Sequence, residues 1–298
     1  MASPIASSIL ALTFALRVVA TTPDVADMTR QIGGERVEVT TIAEGTQDPH
    51  KVPVKPSFVT KLNRADALVV QGLGLEHAFL PALLEAARNP RIAPGAPAYI
   101  DSSLYVEALE VPTSQNRSQG ELHPLGNPHF NMDPVQGKRM ARAIAEGLER
   151  VDPDGAATYR DGLARFTSQL DERIPVWLEL AAPLRGLKAV SYHQDLVYFA
   201  NRFGLVLDGT IETKPGVPAT PRHLEALIAR MKADQVRLVL REVAYEMPLA
   251  ETVAEKAGGR VATIATLTGG LPGADTYVAF IEANLRAVLA AATPAGSR

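Results

Sequence analysis

The sequence predicts an α/β protein: two parallel-sheet domains joined by a long connecting helix. Three observations carry that expectation. Short runs rich in Val, Ile and Ala alternate with amphipathic helical patterns in both halves of the chain, as strand–helix–strand units do. A helical pattern over 155–184 separates the two series, with Tyr159, Phe166, Leu170, Ile174 and Trp177 near one stripe. The 298 residues suffice for two domains of ordinary size. The expected division is a leader over 1–16, an N-terminal α/β lobe over 17–150, the connecting helix over 151–186 and a C-terminal α/β lobe over 187–298.

In order, 17–21 reads as a buried strand. Residues 23–32 have apolar positions at helical spacing and are closed by Gly33-Gly34. The alternating Val- and Thr-rich stretch 36–42 is a second strand. A loop over 43–53 contains His50, and 56–64 is a short helix. Strand 67–71 turns at Gly72–Gly74 into a helix over 76–88, and 98–100 is a weak fourth strand. After a mostly irregular segment, Asp133-Pro134 reads as an N-cap with proline in the first turn of a helix over 134–150. Asp152-Pro153-Asp154 breaks it, and Pro175 should kink the long helix that follows. The second half gives strands 188–192, 205–211, 236–241 and 260–264, with helices 195–203, 221–232, 248–256 and 276–291.

Composition narrows the function. The net charge of −3 offers no electrostatic case for nucleic acid or an anionic membrane, and no basic run exceeds two residues. The absence of cysteine excludes a disulfide framework, a thiolate zinc site, a cysteine nucleophile and an N-terminal lipid anchor on cysteine. The apolar run 4–16 is shorter than the roughly 20 residues a membrane-spanning helix needs. It resembles the core of a secretory signal without the basic start, with Thr13-Phe14-Ala15 as the cleavage site. No other stretch is long and apolar enough to cross a bilayer.

Of the six histidines, three sit at the ends of elements. His129 lies between Pro128 and the Asp133-Pro134 helix start, His50 follows Gln47-Asp48-Pro49, and His193 follows the strand 188–192. In open parallel sheets ligands bind beyond the carboxyl ends of the strands. His50 and His193 have that address, and Glu242 is expected directly after the strand 236–241. The expectation is that His50, His129 and His193 meet around one divalent metal in the cleft between the domains. Glu242, His123 or water would fill the fourth position. Imidazole nitrogens suit Zn²⁺, at about 2.0–2.1 Å, better than the oxygen-loving Mn²⁺. Each residue also has an ordinary reading. A loop histidine is usually solvated, Asp48 and Asp133 suit turn and cap positions, and Glu242 beside Arg241 suits an ion pair. His77 and His223, in the first turns of helices, read as surface residues.

Several stretches occur in the order found in one family. They are Val18-Val19-Ala20-Thr21-Thr22-Pro23, Gln47-Asp48-Pro49-His50, and Asn63-Arg64-Ala65-Asp66-Ala67-Leu68 with Gly72-Leu73-Gly74-Leu75-Glu76. Then come Asn127-Pro128-His129-Phe130 with Met132-Asp133-Pro134, and Ser191-Tyr192-His193-Gln194-Asp195 with Tyr198-Phe199 and Phe203-Gly204. In these the chain resembles the metal-binding solute-binding proteins of zinc and manganese ABC transporters, the cluster A-I or cluster 9 proteins, from about 17 to 289. The resemblance implies two Rossmann-like lobes on a rigid helix and a metal at their interface held by His50, His129 and His193. It implies a periplasmic, monomeric, non-enzymatic protein that is not itself membrane-spanning and delivers its ion to a membrane permease. Members that carry manganese tend to have a carboxylate where this chain has His193, so the resemblance favours Zn²⁺, with Mn²⁺ as the alternative. Two departures stand out. Many members have a ligating Asp after the last strand, where this chain reads Ile264-Ala265-Thr266-Leu267-Thr268-Gly269-Gly270, without an acid. Zinc-specific members often carry a His-rich loop before the second ligand, where 114–126 here holds one histidine. A competing class is a zinc hydrolase, with three histidines, a metal-bound water and Glu242 or Glu121 as base. The chain lacks the His-Glu-x-x-His helix many such enzymes use.

Overall fold

The structure, a computed structural model, describes residues 15–112, 123–214 and 216–293. Most of the expected leader, and Glu121, lie outside the described residues. The last residue of the apolar run, Leu16, opens strand β1 (Leu16–Ala20). β1 is joined by β2 (Val37–Thr41), β3 (Ala67–Val70) and β4 (Tyr99–Asp101) in a parallel sheet of order β2-β1-β3-β4. The second sheet, of β5 (Lys188–Ser191), β6 (Val206–Thr210), β7 (Leu238–Glu242) and β8 (Arg260–Ile264), is also parallel and repeats that order as β6-β5-β7-β8. In each sheet the chain reverses its direction of winding beside the first strand. That places a crevice at the carboxyl ends of β1 and β3, and another at those of β5 and β7.

The helices follow from local chemistry. α1 (Pro23–Gly33) starts with proline in its first turn and stops at Gly34, whose φ of 53° suits glycine. α2 (Pro56–Arg64) again opens on proline. The single helix expected over 76–88 is instead a 3₁₀ turn (Leu75–Ala78) followed by α3 (Leu80–Ala87). The cause is Glu76, which is buried and reaches back to the end of β3. Its Oε1 accepts from Thr21 Oγ1 at 2.6 Å and from the Gln71 N–H at 2.7 Å. That pins the turn apart from the helix, and Pro81 then starts α3 afresh. α4 (Pro134–Val151) is capped by Asp133, whose Oδ1 accepts from the Val135 N–H at 2.8 Å.

α5 (Ala156–Leu180) is the long helix; it packs against α1 and α4 on one side and reaches α9 (Tyr277–Ala292) on the other. Pro175 lies inside it. α6 (Val197–Phe203), α7 (Pro221–Ala233) and α8 (Met247–Ala257) complete the second lobe. β7 shows the strand alternation that divides the core. Leu238 and Leu240 join a hydrophobic cluster continuous with the first lobe through Trp177, Phe166 and Met140. Val239 faces a separate cluster with Leu227, Met231 and Val253, beneath α7 and α8.

One continuous apolar core under both sheets leaves little freedom for the lobes to separate. Buried polar ties reinforce it. Asn131 Nδ2 donates to the Thr266 carbonyl at 2.7 Å, and Thr268 Oγ1 donates to Asp24 Oδ1 at 3.0 Å. Arg202 grips Asp133 through Nε at 2.7 Å and Nη2 at 2.9 Å. No described helix is long and apolar enough to cross a membrane.

Candidate metal centre

The loop after β2 brings in His50. Asp48 Oδ1 accepts from the His50 N–H at 2.9 Å, a turn that local Asx chemistry favours, and Lys51 pairs with Asp48 at 3.0 Å. The loop before α4 is fixed in the same way, since Asn127 Oδ1 accepts from the His129 N–H at 3.0 Å. Gln71, at the end of β3, holds that loop from below by donating to the Pro128 carbonyl at 2.9 Å. From the other lobe, the Gln194 carbonyl accepts from Asn127 Nδ2 at 3.0 Å, and Tyr198 donates to the Asn127 carbonyl at 3.0 Å. His193 follows β5 directly, with its carbonyl accepting from Ser191 Oγ at 2.6 Å. Prolines stop regular structure at the first two places and the end of β5 does so at the third, and a nearby polar side chain then sets the backbone.

These elements bring His50, His129 and His193 together. One ring nitrogen from each lies within 4.8 Å of the others, and all three side chains are buried. Among the described residues no other group of three or more histidines or acids meets that spacing. His50 Nε2 and His129 Nε2 are 3.0 Å apart. Two imidazole nitrogens on one tetrahedral ion, each about 2.0–2.1 Å from it, would sit about 3.3 Å apart. The donor set therefore fits a small divalent ion.

The environments differ from ring to ring. Burial, then the charges of neighbouring histidines led by His123, lower His50 to about 3. Burial and the same kind of neighbours hold His129 well below the usual histidine value. Burial also disfavours a charge on His193, but the Glu212 hydrogen bond and the charges of Asp195, Glu212 and Asp48 outweigh it, so its pKa is raised. His193 Nδ1 meets Glu212 Oε2 at 2.6 Å. A carboxylate oxygen accepts, so Nδ1 carries the hydrogen, and in the neutral ring Nε2 is left with a lone pair. Tyr245 stacks on the His193 ring with centroids 5.6 Å apart.

Glu242, expected as a fourth ligand just beyond its strand, is instead the last residue of β7 and lies outside the histidine group. It is fully buried, and its Oε1 faces the His193 N–H at 3.4 Å. Burial, then Asp195, push its pKa well above the usual range. Among the described residues its Oε2 and Asp195 Oδ1 have no hydrogen-bond partner. A carboxyl so disposed to keep its proton is a poor metal donor. His123 is half-buried with its ring centroid 5.0 Å from that of His50; burial, then the charge of His77, lower it to about 4. His223 is occupied elsewhere, bonding the Thr210 carbonyl at 3.0 Å. Glu212 escaped the sequence reading, although it lies just past β6, the strand that corresponds in sheet order to β2 before His50. The strand-end rule applied to all eight strands would have found it.

The sequence matches the family described as zinc-uptake complex component A, periplasmic (ZnuA), over residues 18–291. It is 24% identical over 283 residues to the iron ABC transporter substrate-binding lipoprotein MtsA of Streptococcus pyogenes, covering 91% of this chain and 86% of that one. It is 24% identical over 279 residues to the manganese ABC transporter substrate-binding lipoprotein PsaA of Streptococcus pneumoniae, covering 91% and 87%. Among solved structures, a zinc-bound ZnuA deletion mutant superposes with a TM-score of 0.78 at 27% identity, covering 94% of this chain and 99% of its own.

Proposed function

This chain belongs to the periplasmic zinc-uptake component A family, the metal-binding solute-binding proteins of ABC transporters, and from that premise we propose that its cargo is Zn²⁺. The ion is held by His50, His129 and His193 outside the cytoplasm and passed to a membrane permease. The observation that carries this reading is the group of three buried ring nitrogens within 4.8 Å of one another. Relatives are named for manganese and for iron, so membership alone leaves the cargo open. The donor chemistry favours zinc. Nitrogen-only sites suit Zn²⁺, whereas Mn²⁺ prefers carboxylate and other oxygen donors. Water completes the tetrahedron, and Glu242 supports His193 from behind through its backbone N–H.

The residues bind and release; they do not transform a substrate. His50 and His129 offer lone pairs that protons scarcely contest near neutral pH. Glu212 holds the His193 ring with Nε2 turned away from it. Titrating metal-free protein with Zn²⁺ in competition with a chelator should give one tight equivalent. Excess Mn²⁺ should displace it only when present at on the order of a hundredfold or more over Zn²⁺. Equal retention of Mn²⁺ would assign the protein to manganese, and no tight equivalent of either ion would remove the metal reading.

A further inference from the structure

Two of the three remaining histidines continue outward from the candidate centre. His77 is exposed on the 3₁₀ turn after β3, His123 is half-buried, and His50 is buried. Their ring centroids step inward, 5.6 Å from His77 to His123 and 5.0 Å from His123 to His50. Two imidazoles sharing one tetrahedral ion have ring centres about 5 Å apart, given bonds of about 2.0–2.1 Å. Both steps therefore match the spacing of a shared ion, as does the 5.0 Å between His50 and His129.

Ring orientation supports the same use. His77 Nδ1 lies 3.0 Å from the Gly74 carbonyl. A carbonyl only accepts, so Nδ1 carries the proton and Nε2 keeps its lone pair. The His123 ring also hydrogen-bonds the Gly74 backbone. Gly74 has a φ of 81°, and a Cβ built there would lie 3.9 Å from His123 Nδ1. One left-handed glycine thus borders both imidazoles and holds the His77 ring by Nδ1, the arrangement that metal-binding histidines adopt.

We propose that His77 and His123 form a second, outer divalent-cation site, which takes an imidazole-loving ion such as Zn²⁺ from solvent and passes it through His123 to His50. The proposal rests on the three-histidine reading of the inner centre. With two protein ligands and the rest water, the outer site binds more weakly than the inner one, as a transfer step requires. It also explains why His123 lies beside the ligand group without belonging to it.

The test uses the intact chain and Zn²⁺ alone. Zinc is delivered from a fluorescent indicator, and both its transfer rate and its equilibrium distribution are followed. Imidazole resonances are recorded as a second equivalent is added. Wild type should take a tight first equivalent and then a weaker second one that shifts the His77 and His123 ring signals. In His77→Ala the second equivalent should vanish and loading should slow by on the order of tenfold, with tight affinity unchanged. His123→Ala should do the same. An unchanged loading rate in His77→Ala, or a second equivalent that leaves the His77 ring signals in place, would overturn the outer site. So would a loss of tight affinity in His123→Ala at an unchanged rate, since His123 would then be an inner ligand. Failure of wild type to bind a tight first equivalent would fall on the inner reading instead.

Discussion

The two walls of the candidate centre are built from opposite electrostatics. In the first-lobe wall, His50 and His129, no carboxylate among the described residues is bonded to either ring; their Nε2 atoms face each other at 3.0 Å, and His50 Nδ1 has no hydrogen-bond partner among those residues. The second-lobe wall is one histidine, His193, backed by Glu212 and by the buried Asp195–Glu242 pair. Burial holds the first two rings neutral, while the acids draw a proton toward the third. One wall is permanently ready to donate lone pairs. The other carries the negative charge a divalent cation requires. A site of neutral imidazoles alone would leave the ion's charge uncompensated in a low-dielectric crevice, and a site of carboxylates alone would favour harder ions.

Removing a ligand from either wall gives the largest effect. His50→Ala, His129→Ala and His193→Ala should each weaken Zn²⁺ binding by on the order of a hundredfold or more, measured by chelator competition. The comparison sharpens in what remains. His193→Ala leaves the first-lobe pair intact with the acids still nearby, so it should keep more residual affinity than His129→Ala. Equal loss from all three would mean that the acids act only on the ring they touch.

Glu212→Gln comes next. The amide can still accept from Nδ1 through its oxygen, so the ring is held but the charge is gone. Zinc affinity should fall by about 10- to 100-fold, and the His193 pKa, followed by NMR of the metal-free protein, should drop. An unchanged pKa would show that Asp195 and Asp48 raise it without Glu212.

These contrasts also mark what a sequence can reveal. Strand–helix alternation made the two parallel sheets legible, because a parallel strand needs a helix to bring the chain back. The three histidines were legible as loop residues, since Pro49, Pro128 and the end of β5 exclude regular structure around them. Their neutral or charged character was not, because it depends on burial and on groups distant along the chain. Glu212 is 19 residues from His193. Glu242 looked like a donor from its strand-end position, and its burial beside Asp195 is what favours its neutral form. The expected helix 76–88 failed for a related reason: the turn is set by Glu76 bonding to Thr21, 55 residues away.

The pH profile tests the two walls together. His50, at about 3, and His129, well below the usual value, hold protons less readily than an ordinary histidine, so the ion competes with few protons there. His193 lies above its usual value, so it is protonated first as pH falls. Zinc affinity should therefore fall by about tenfold per pH unit below the His193 pKa, the slope of a single displaced proton. Three ordinary histidines would give a slope of about a thousandfold per unit. The metal-free protein should respond in a related way. A depressed histidine contributes stability that is present above the unfolded value of about 6.5 and lost as pH falls toward the folded value. His50 and His129 should thus each lower stability as pH falls below that point. The raised His193 has the opposite sign. Its contribution is full below about 6.5 and is lost as pH rises through its folded pKa. Denaturation of metal-free protein between pH 5 and 7.5 should show the first trend dominant, and His129→Asn should flatten it.

The smallest expected effect isolates packing from charge. Tyr245 stacks on His193 and, with centroids 4.7 Å apart, on Tyr192, so the ring of His193 is clamped on one face as well as held at Nδ1. Tyr245→Phe keeps the clamp and should leave zinc affinity unchanged. Tyr245→Leu removes a stacked pair of about 0.5–1.5 kcal/mol and should weaken binding only severalfold. If Tyr245→Leu matched the loss in Glu212→Gln, orientation of the ring would outweigh the charge behind it, and the second wall would work by the same neutral, preset geometry as the first.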